Sequence, residues 1–382
     1  MKKYMVSGLA FILLACGLLA GKKNNQQQGN QNAGHVVMGY IAGFRESLIA
    51  STIDANKLTH INYAFGLVRD NRVVLEGPYD TYNLEVLDSL KRVNPDLKVI
   101  LSVGGWGGSH NFSDAALTPE SRLKFARSAA DLVRVYNLDG IDIDWEYPGQ
   151  IGAGNIYRPE DKQNFTLMLK ELRTQLDSMA ARFNPGRHYE ITIAAGGDQS
   201  FLNHTDMAEA QKYLDYVNLM TYDYHTSASD STGYLTNLYP SPLDPERNSV
   251  KTSVDIYEKA GVPANKIVIG AAFYGRGWSG AEPLNRGRFS PYTGSGHSFS
   301  YDTLRVKYID MNGFTRYWDQ TSQSPYLWND ATQTMISYED PQSLAAKAEY
   351  VKKNNLAGIM FWEYGGDTSG TLLGAIYKGL NE

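Results

Sequence analysis

Leu138-Asp139-Gly140-Ile141-Asp142-Ile143-Asp144-Trp145-Glu146-Tyr147-Pro148 is the stretch from which the rest of the chain can be read. Apolar residues alternate with acids in it, and side chains alternate faces along a strand. Ile141, Ile143 and Trp145 therefore share one face, and Asp142, Asp144 and Glu146 the other. The apolar face needs a cover of helices, which sends the acids into a closed interior. A solvated acidic edge strand would have no use for so apolar an opposite face. Alternate residues stand roughly 6.5 Å apart along a strand, so flexible carboxyls on one face can approach each other. Three like charges in a poorly solvated column cannot all stay ionised. Such sharing of protons is a way to keep one acid protonated near neutral pH. Asp-x-Asp-x-Glu can also hold Ca²⁺ or Mg²⁺. The chain lacks the glycine and the longer loop of an EF-hand, and neither a metal nor any other cofactor is expected.

Working outward, β-rich apolar runs occur at 36–44, 61–68, 98–104, 140–146, 190–195, 216–222, 267–273 and 358–362. Helical patterns lie between them. Phe125, Ala129, Leu132, Val133 and Tyr136 fall on one helix face, as do Phe165, Met168, Leu169, Leu172 and Leu176. Strands alternating with helices imply parallel strands with helical crossovers. Eight such units predict an α/β fold, a (β/α)₈ TIM barrel, with an open doubly wound sheet as the alternative. One stretch breaks the rhythm: 279–340 is rich in Tyr, Trp, Gly and Ser and predicts a small α+β insertion on the barrel rim. The acids should then climb toward the C-terminal mouth, where active sites of barrels lie.

The 382 residues are 42% hydrophobic and 20% charged, a globular composition. A net charge of −5 with no basic block argues against a nucleic-acid partner. Tyrosines number 26 against 13 phenylalanines, which suits a wet, polar ligand. The chain begins with Lys2 and Lys3, then an apolar run too short to span a membrane. Leu13-Leu14-Ala15-Cys16 resembles a bacterial lipobox, which implies cleavage after residue 15 and lipidation of Cys16. Cleavage near Leu19-Ala20-Gly21 is the alternative, and would give a secreted or periplasmic protein. Gly17 stands where an Asp would mark inner-membrane retention, so the resemblance implies an outer-membrane or cell-surface lipoprotein. Residues 16–34, polar from Lys22 onward, predict a flexible tether, with the catalytic barrel at 35–382. Membrane contact is expected only through the anchor, and a monomer is expected.

Asp139-x-x-Asp142-x-Asp144-x-Glu146 resembles the signature of the family 18 glycoside hydrolases, the chitinases and their relatives. Ser102-Val103-Gly104-Gly105 resembles the family's S-x-G-G, and Met220-Thr221-Tyr222-Asp223 its M-x-Y-D. Tyr274-Gly275-Arg276-Gly277-Trp278 after strand seven and Trp362 at the end of strand eight extend the likeness over nearly the whole mature chain. The insertion is similar to that of the subfamily with a deep cleft.

The resemblance implies a retaining hydrolase of chitin or N-acetylglucosamine oligosaccharides that uses the substrate's own acetamido group as nucleophile. Glu146 would be the general acid. Asp144 would bond it and then turn to the acetamido group, and Asp142 would share a proton with Asp144. Tyr222 would donate its hydroxyl to the acetamido carbonyl, and Asp223 would bind nearby. Trp362 would floor the pocket. Trp106, Tyr147, Tyr40 and Phe65 are candidate sugar contacts, with buried core aromatics the other reading of the last two. Met220 would line the pocket, and Tyr274 and Arg276 would bind substrate. Asp139, out of step with the row, reads as structural, and Ser102, Gly104 and Gly105 as architectural. An endo-β-N-acetylglucosaminidase acting on N-glycans shares the acidic row, and an inactive chitin-binding lectin is the third reading. Other chemistries test poorly: the chain has no Gly-x-Ser-x-Gly elbow, no His-Glu-x-x-His, and no dinucleotide glycine spacing.

Overall fold

Eight parallel strands close on themselves. The computed structural model describes Met1 and residues 34–382. Residues 2–33, which hold the expected leader, Cys16 and nearly all of the tether, lie outside the described residues. The barrel strands are Val36–Ala42, His60–Arg69, Lys98–Gly104, Gly140–Asp144, Glu190–Gly196, Tyr216–Met220, Ile267–Ala272 and Gly358–Trp362. Each pairs in parallel with the next, and the last pairs with the first, so no edge remains in this ring. The open-sheet alternative is excluded. The first, fourth, sixth and seventh strands stop one or two residues short of the runs read from sequence.

The helices form where the apolar period is 3.6. In Asp161–Phe183, Phe165, Met168, Leu169, Leu172 and Leu176 are all buried. Each such side chain contributes about 1.5–3 kcal/mol by leaving water. Helix Pro119–Val135 starts on a reciprocal Thr118–Ser121 capping box with proline in its first turn. On the fourth strand Ile141, Ile143 and Trp145 are buried against this shell. Trp145 stacks on Phe112 at 5.3 Å and meets Phe165 edge-on at 6.1 Å.

A second sheet of five antiparallel strands follows the seventh barrel strand: Tyr274–Trp278, Gly296–Ser300, Thr315–Asp319, Ser324–Asn329 and Thr334–Ser337. It carries one helix, Tyr301–Lys307. Its first strand starts at Tyr274, five residues before the boundary read from sequence. Tyr274-Gly275-Arg276-Gly277-Trp278 is thus a strand of the insertion, not a loop ahead of it. Its glycines are needed there: a Cβ at Gly275 would lie 2.8 Å from Leu304, and one at Gly277 3.0 Å from Phe299.

Candidate active site

Register places the first acid. Asp142 stands beside Ser102 of the third strand and Thr192 of the fifth. Both hydroxyls donate to it, Ser102 at 2.7 Å and Thr192 at 2.6 Å. The Tyr40 hydroxyl at 3.0 Å and the Asn218 amide at 3.3 Å reach it across the barrel. Its two oxygens are therefore taken by neutral donors. Burial raises the Asp142 pKa, and the four donors offset part of that rise.

Asp144, one pleat higher, is in the opposite situation. It is 5% exposed, and among the described residues no cation pairs with it and its Oδ1 has no partner. Burial, then the charges of Glu146 and Asp142, push its pKa well above the usual carboxylate range. Its backbone is held from the third strand: the Gly105 N–H donates to the Asp144 carbonyl at 2.8 Å. Gly104 has φ +112°, and a Cβ there would sit 2.2 Å from that carbonyl oxygen. Only glycine lets the two strand ends meet so closely. The Ser109 hydroxyl, fully buried, accepts from the Glu146 N–H at 2.9 Å and donates to the Gly105 carbonyl at 2.9 Å. Sequence reasoning missed Ser109, since a serine after a glycine-rich turn carries no distinguishing signal.

Glu146 is at the mouth, half-buried. Burial raises its pKa to about 7; the nearby Tyr147 hydroxyl lowers it in part and the charge of Asp223 adds to the rise. A carboxylic acid that holds its proton near neutrality is suited to protonate a leaving oxygen. Tyr222 is pushed well above its usual pKa by burial and by the charges of Asp144, Glu146, Asp223 and Asp142. Its hydroxyl stays protonated and serves as a donor. It donates to the Met360 sulfur at 4.0 Å, a weak acceptor. The ring fits because position 270 is glycine, where a Cβ would meet it at 2.8 Å.

Asp223 follows with φ +57°, a left-handed turn that lifts its carboxylate to the rim. Arg276 clamps it with two bonds of 2.9 and 3.0 Å. The guanidinium lies 5.1 Å from the Tyr274 ring centre, and Tyr274 meets Tyr222 edge-on at 6.3 Å. The insertion thus builds one wall of the site.

Aromatics line the opposite side. Trp362 stacks on Phe65 at 5.6 Å, and Phe65 on Phe44 at 6.2 Å. Phe44, exposed at the end of this row, was not singled out from sequence. Met220 is half-buried and packs with Met38, Tyr40, Val268 and Met360 below Trp362. Trp106 is 57% exposed and meets Tyr147 edge-on at 6.4 Å. Of the two readings of Tyr40 the buried one fits its place: it is 2% exposed, and its hydroxyl bonds Asp142 and Asn218, so it supports the column from below. Asp139 lies at the far end of the barrel. It accepts from the Val99 N–H at 2.8 Å and pairs with Lys91 at 2.8 Å and Arg187 at 2.7 Å. Among the described residues no group of three or more His, Cys, Asp or Glu is arranged to hold a metal ion.

The chain matches the glycosyl hydrolases family 18 over residues 36–367. It is 36% identical to chitinase A1 of Niallia circulans, over 88% of this chain and 57% of that protein. With chitinase 1 of Aphanocladium album the identity is 34%, over 86% of this chain and 80% of the other. The chain thus spans little more than half the length of the first of these relatives. Among solved structures, a family 18 N-acetylglucosaminidase from Paenibacillus barengoltzii superposes with a TM-score of 0.85 at 48% identity, covering 91% of this chain and all of that one. A closed barrel, an acidic row rising to its mouth and a family match over nearly all the described residues agree: this chain belongs to glycosyl hydrolase family 18.

Proposed function

We propose that the protein hydrolyses β-1,4-linked N-acetylglucosamine chains, chitin and its oligosaccharides, with retention at the anomeric carbon. What supports this is the acidic row of the fourth strand, with Asp142 and Asp144 in register beside the third strand and Glu146 two residues on, in a chain of glycosyl hydrolase family 18. Glu146 gives its proton to the glycosidic oxygen as the bond from the anomeric carbon breaks. The substrate's acetamido oxygen forms the new bond to that carbon, giving an oxazolinium ion. With the one proton of the Asp144–Glu146 pair carried by Glu146, Asp144 is the carboxylate that accepts from the acetamido N–H and balances the developing positive charge. Tyr222 donates to the acetamido oxygen and aligns it. Water then attacks the anomeric carbon as its bond to the acetamido oxygen breaks, which restores the acetamido group, and the water's proton passes to the Glu146 carboxylate. Trp362 stacks on the sugar that carries the acetamido group, and Phe65 backs it. Asp223, with Arg276, binds at the wall. Trp106 and Tyr147 bind the leaving side.

The experiment is hydrolysis of chitohexaose with products followed in time. Early di- and trisaccharides support chain cleavage, and an untouched substrate refutes the reading. A second reading, removal of single N-acetylglucosamine units, is favoured by the 48% identity to the Paenibacillus enzyme. Monosaccharide as the first product would establish it. A high-mannose glycopeptide run beside chitohexaose tests the N-glycan alternative. We further propose export and anchoring through lipidated Cys16, which labelled palmitate would report in the wild type and not in Cys16→Ser.

A further inference from the structure

Behind the catalytic mouth lies a buried ion pair that the chemistry above does not use. Lys347, on the helix Pro341–Lys353, pairs with Glu339, and each side chain is 1% exposed. The Ser343 hydroxyl also donates to Glu339, at 2.5 Å. Glu339 stands two residues past the last strand of the insertion, where the chain returns to the barrel. Ion pairs this deeply buried carry a large desolvation cost, and apolar replacements of similar volume are often at least as stable. Stability alone is therefore a poor reason for this pair.

The pair points toward Tyr222. The Lys347 ammonium donates to the Thr236 hydroxyl oxygen at 2.6 Å, and Thr236 donates to the backbone carbonyl of Thr221 at 2.6 Å. An ammonium has donors only, so it forces Thr236 to accept and aims the one hydroxyl proton at Thr221. Thr221 is held on its other side as well. Barrel pairing there ends at Leu219 opposite Ile269, and beyond it the Thr221 hydroxyl accepts from the Gly270 N–H and donates to the Gly270 carbonyl, both at 2.8 Å. The residue clamped on two sides is the one that precedes Tyr222.

We propose that Thr236, oriented by the Lys347–Glu339 pair, is a positioning residue that fixes the Tyr222 hydroxyl for the chemical step. The inference rests on the reading that Tyr222 acts on the acetamido group. Small displacements of an aligning group cost rate more than binding.

The test compares Thr236→Val, which keeps shape and loses the hydroxyl, with Thr236→Ser, which keeps the hydroxyl. With chitohexaose, T236V is expected to lose kcat about tenfold with KM within about twofold, while T236S stays near wild type. A T236V enzyme with wild-type kcat, or one whose KM alone changes, overturns the inference. Should T236V fail to fold, the double variant Lys347→Met with Glu339→Met decides by the same criterion: a kcat loss at constant KM supports the inference, and wild-type kcat overturns it. A wild-type chain that leaves chitohexaose intact brings down the functional reading together with this one. Wild-type kcat in T236V brings down this one alone.

Discussion

Asp139 and Asp144 are five residues apart on one segment, both mostly buried, and their surroundings differ in kind. At the N-terminal end, Asp139 has two cations within 2.8 Å and a backbone N–H. At the mouth, Asp144 has, among the described residues, no cation, two neighbouring carboxyls and an oxygen without a partner. A buried carboxylate with opposite charges beside it joins elements together. One with like charges beside it holds a proton that chemistry can draw on. The same residue type on one short segment becomes a brace at one end of the barrel and a reagent at the other.

Four experiments would break or sharpen that contrast. The largest effect is expected at the mouth: Glu146→Gln keeps shape and removes the transferable proton, and kcat on chitohexaose should fall about 10³-fold. Turnover equal to wild type would end the assignment of Glu146. Tyr222→Phe should cost about 10²-fold in kcat by removing one donor to developing charge. A thiazoline analogue of the oxazolinium ion should bind it more weakly than it binds the wild type. The pH profile follows from Glu146, whose folded pKa is raised to about 7. The productive form is the protonated one, so kcat/KM should decline as pH rises through about 7. A rate that stays flat from pH 6 to 9 would contradict this. The smallest effect is expected at the opposite end. Asp139→Asn should lower stability in urea by about 1–3 kcal/mol and leave kcat unchanged. The low end of that range applies, because Lys91 and Arg187 are 17% and 33% exposed and can turn to water. A Glu146-like loss of kcat in this variant would erase the distinction between the two ends.

Part of this contrast was legible before any fold was known. The alternation in 140–146 assigns the faces, and the offset of Asp139 sets it apart from the row. The parallel strands follow from the regular exchange of β-rich runs and 3.6-periodic helices. The partners of Asp142 were not legible. Tyr40, Ser102, Thr192 and Asn218 stand 102, 40, 50 and 76 positions away, and nothing in a lone Thr or Asn announces that it faces an acid. From sequence Tyr40 fits a sugar contact at a strand end and a buried core aromatic equally well. Its ring proved to lie lower in the interior, with its hydroxyl on Asp142. The insertion boundary slipped by five residues because Tyr274–Trp278 continues directly from the seventh strand with a single residue between them.

Local order along the chain settled which acids share a face, since a pleat repeats every two residues wherever the strand finally lies. It also settled that the strands are parallel, since each is followed by an amphipathic crossover. The protonation of those acids was settled elsewhere. Whether a carboxyl meets a lysine, a threonine or another carboxyl depends on barrel closure and register. Those bring distant residues within 3 Å, and the free energy of a buried charge depends steeply on such neighbours.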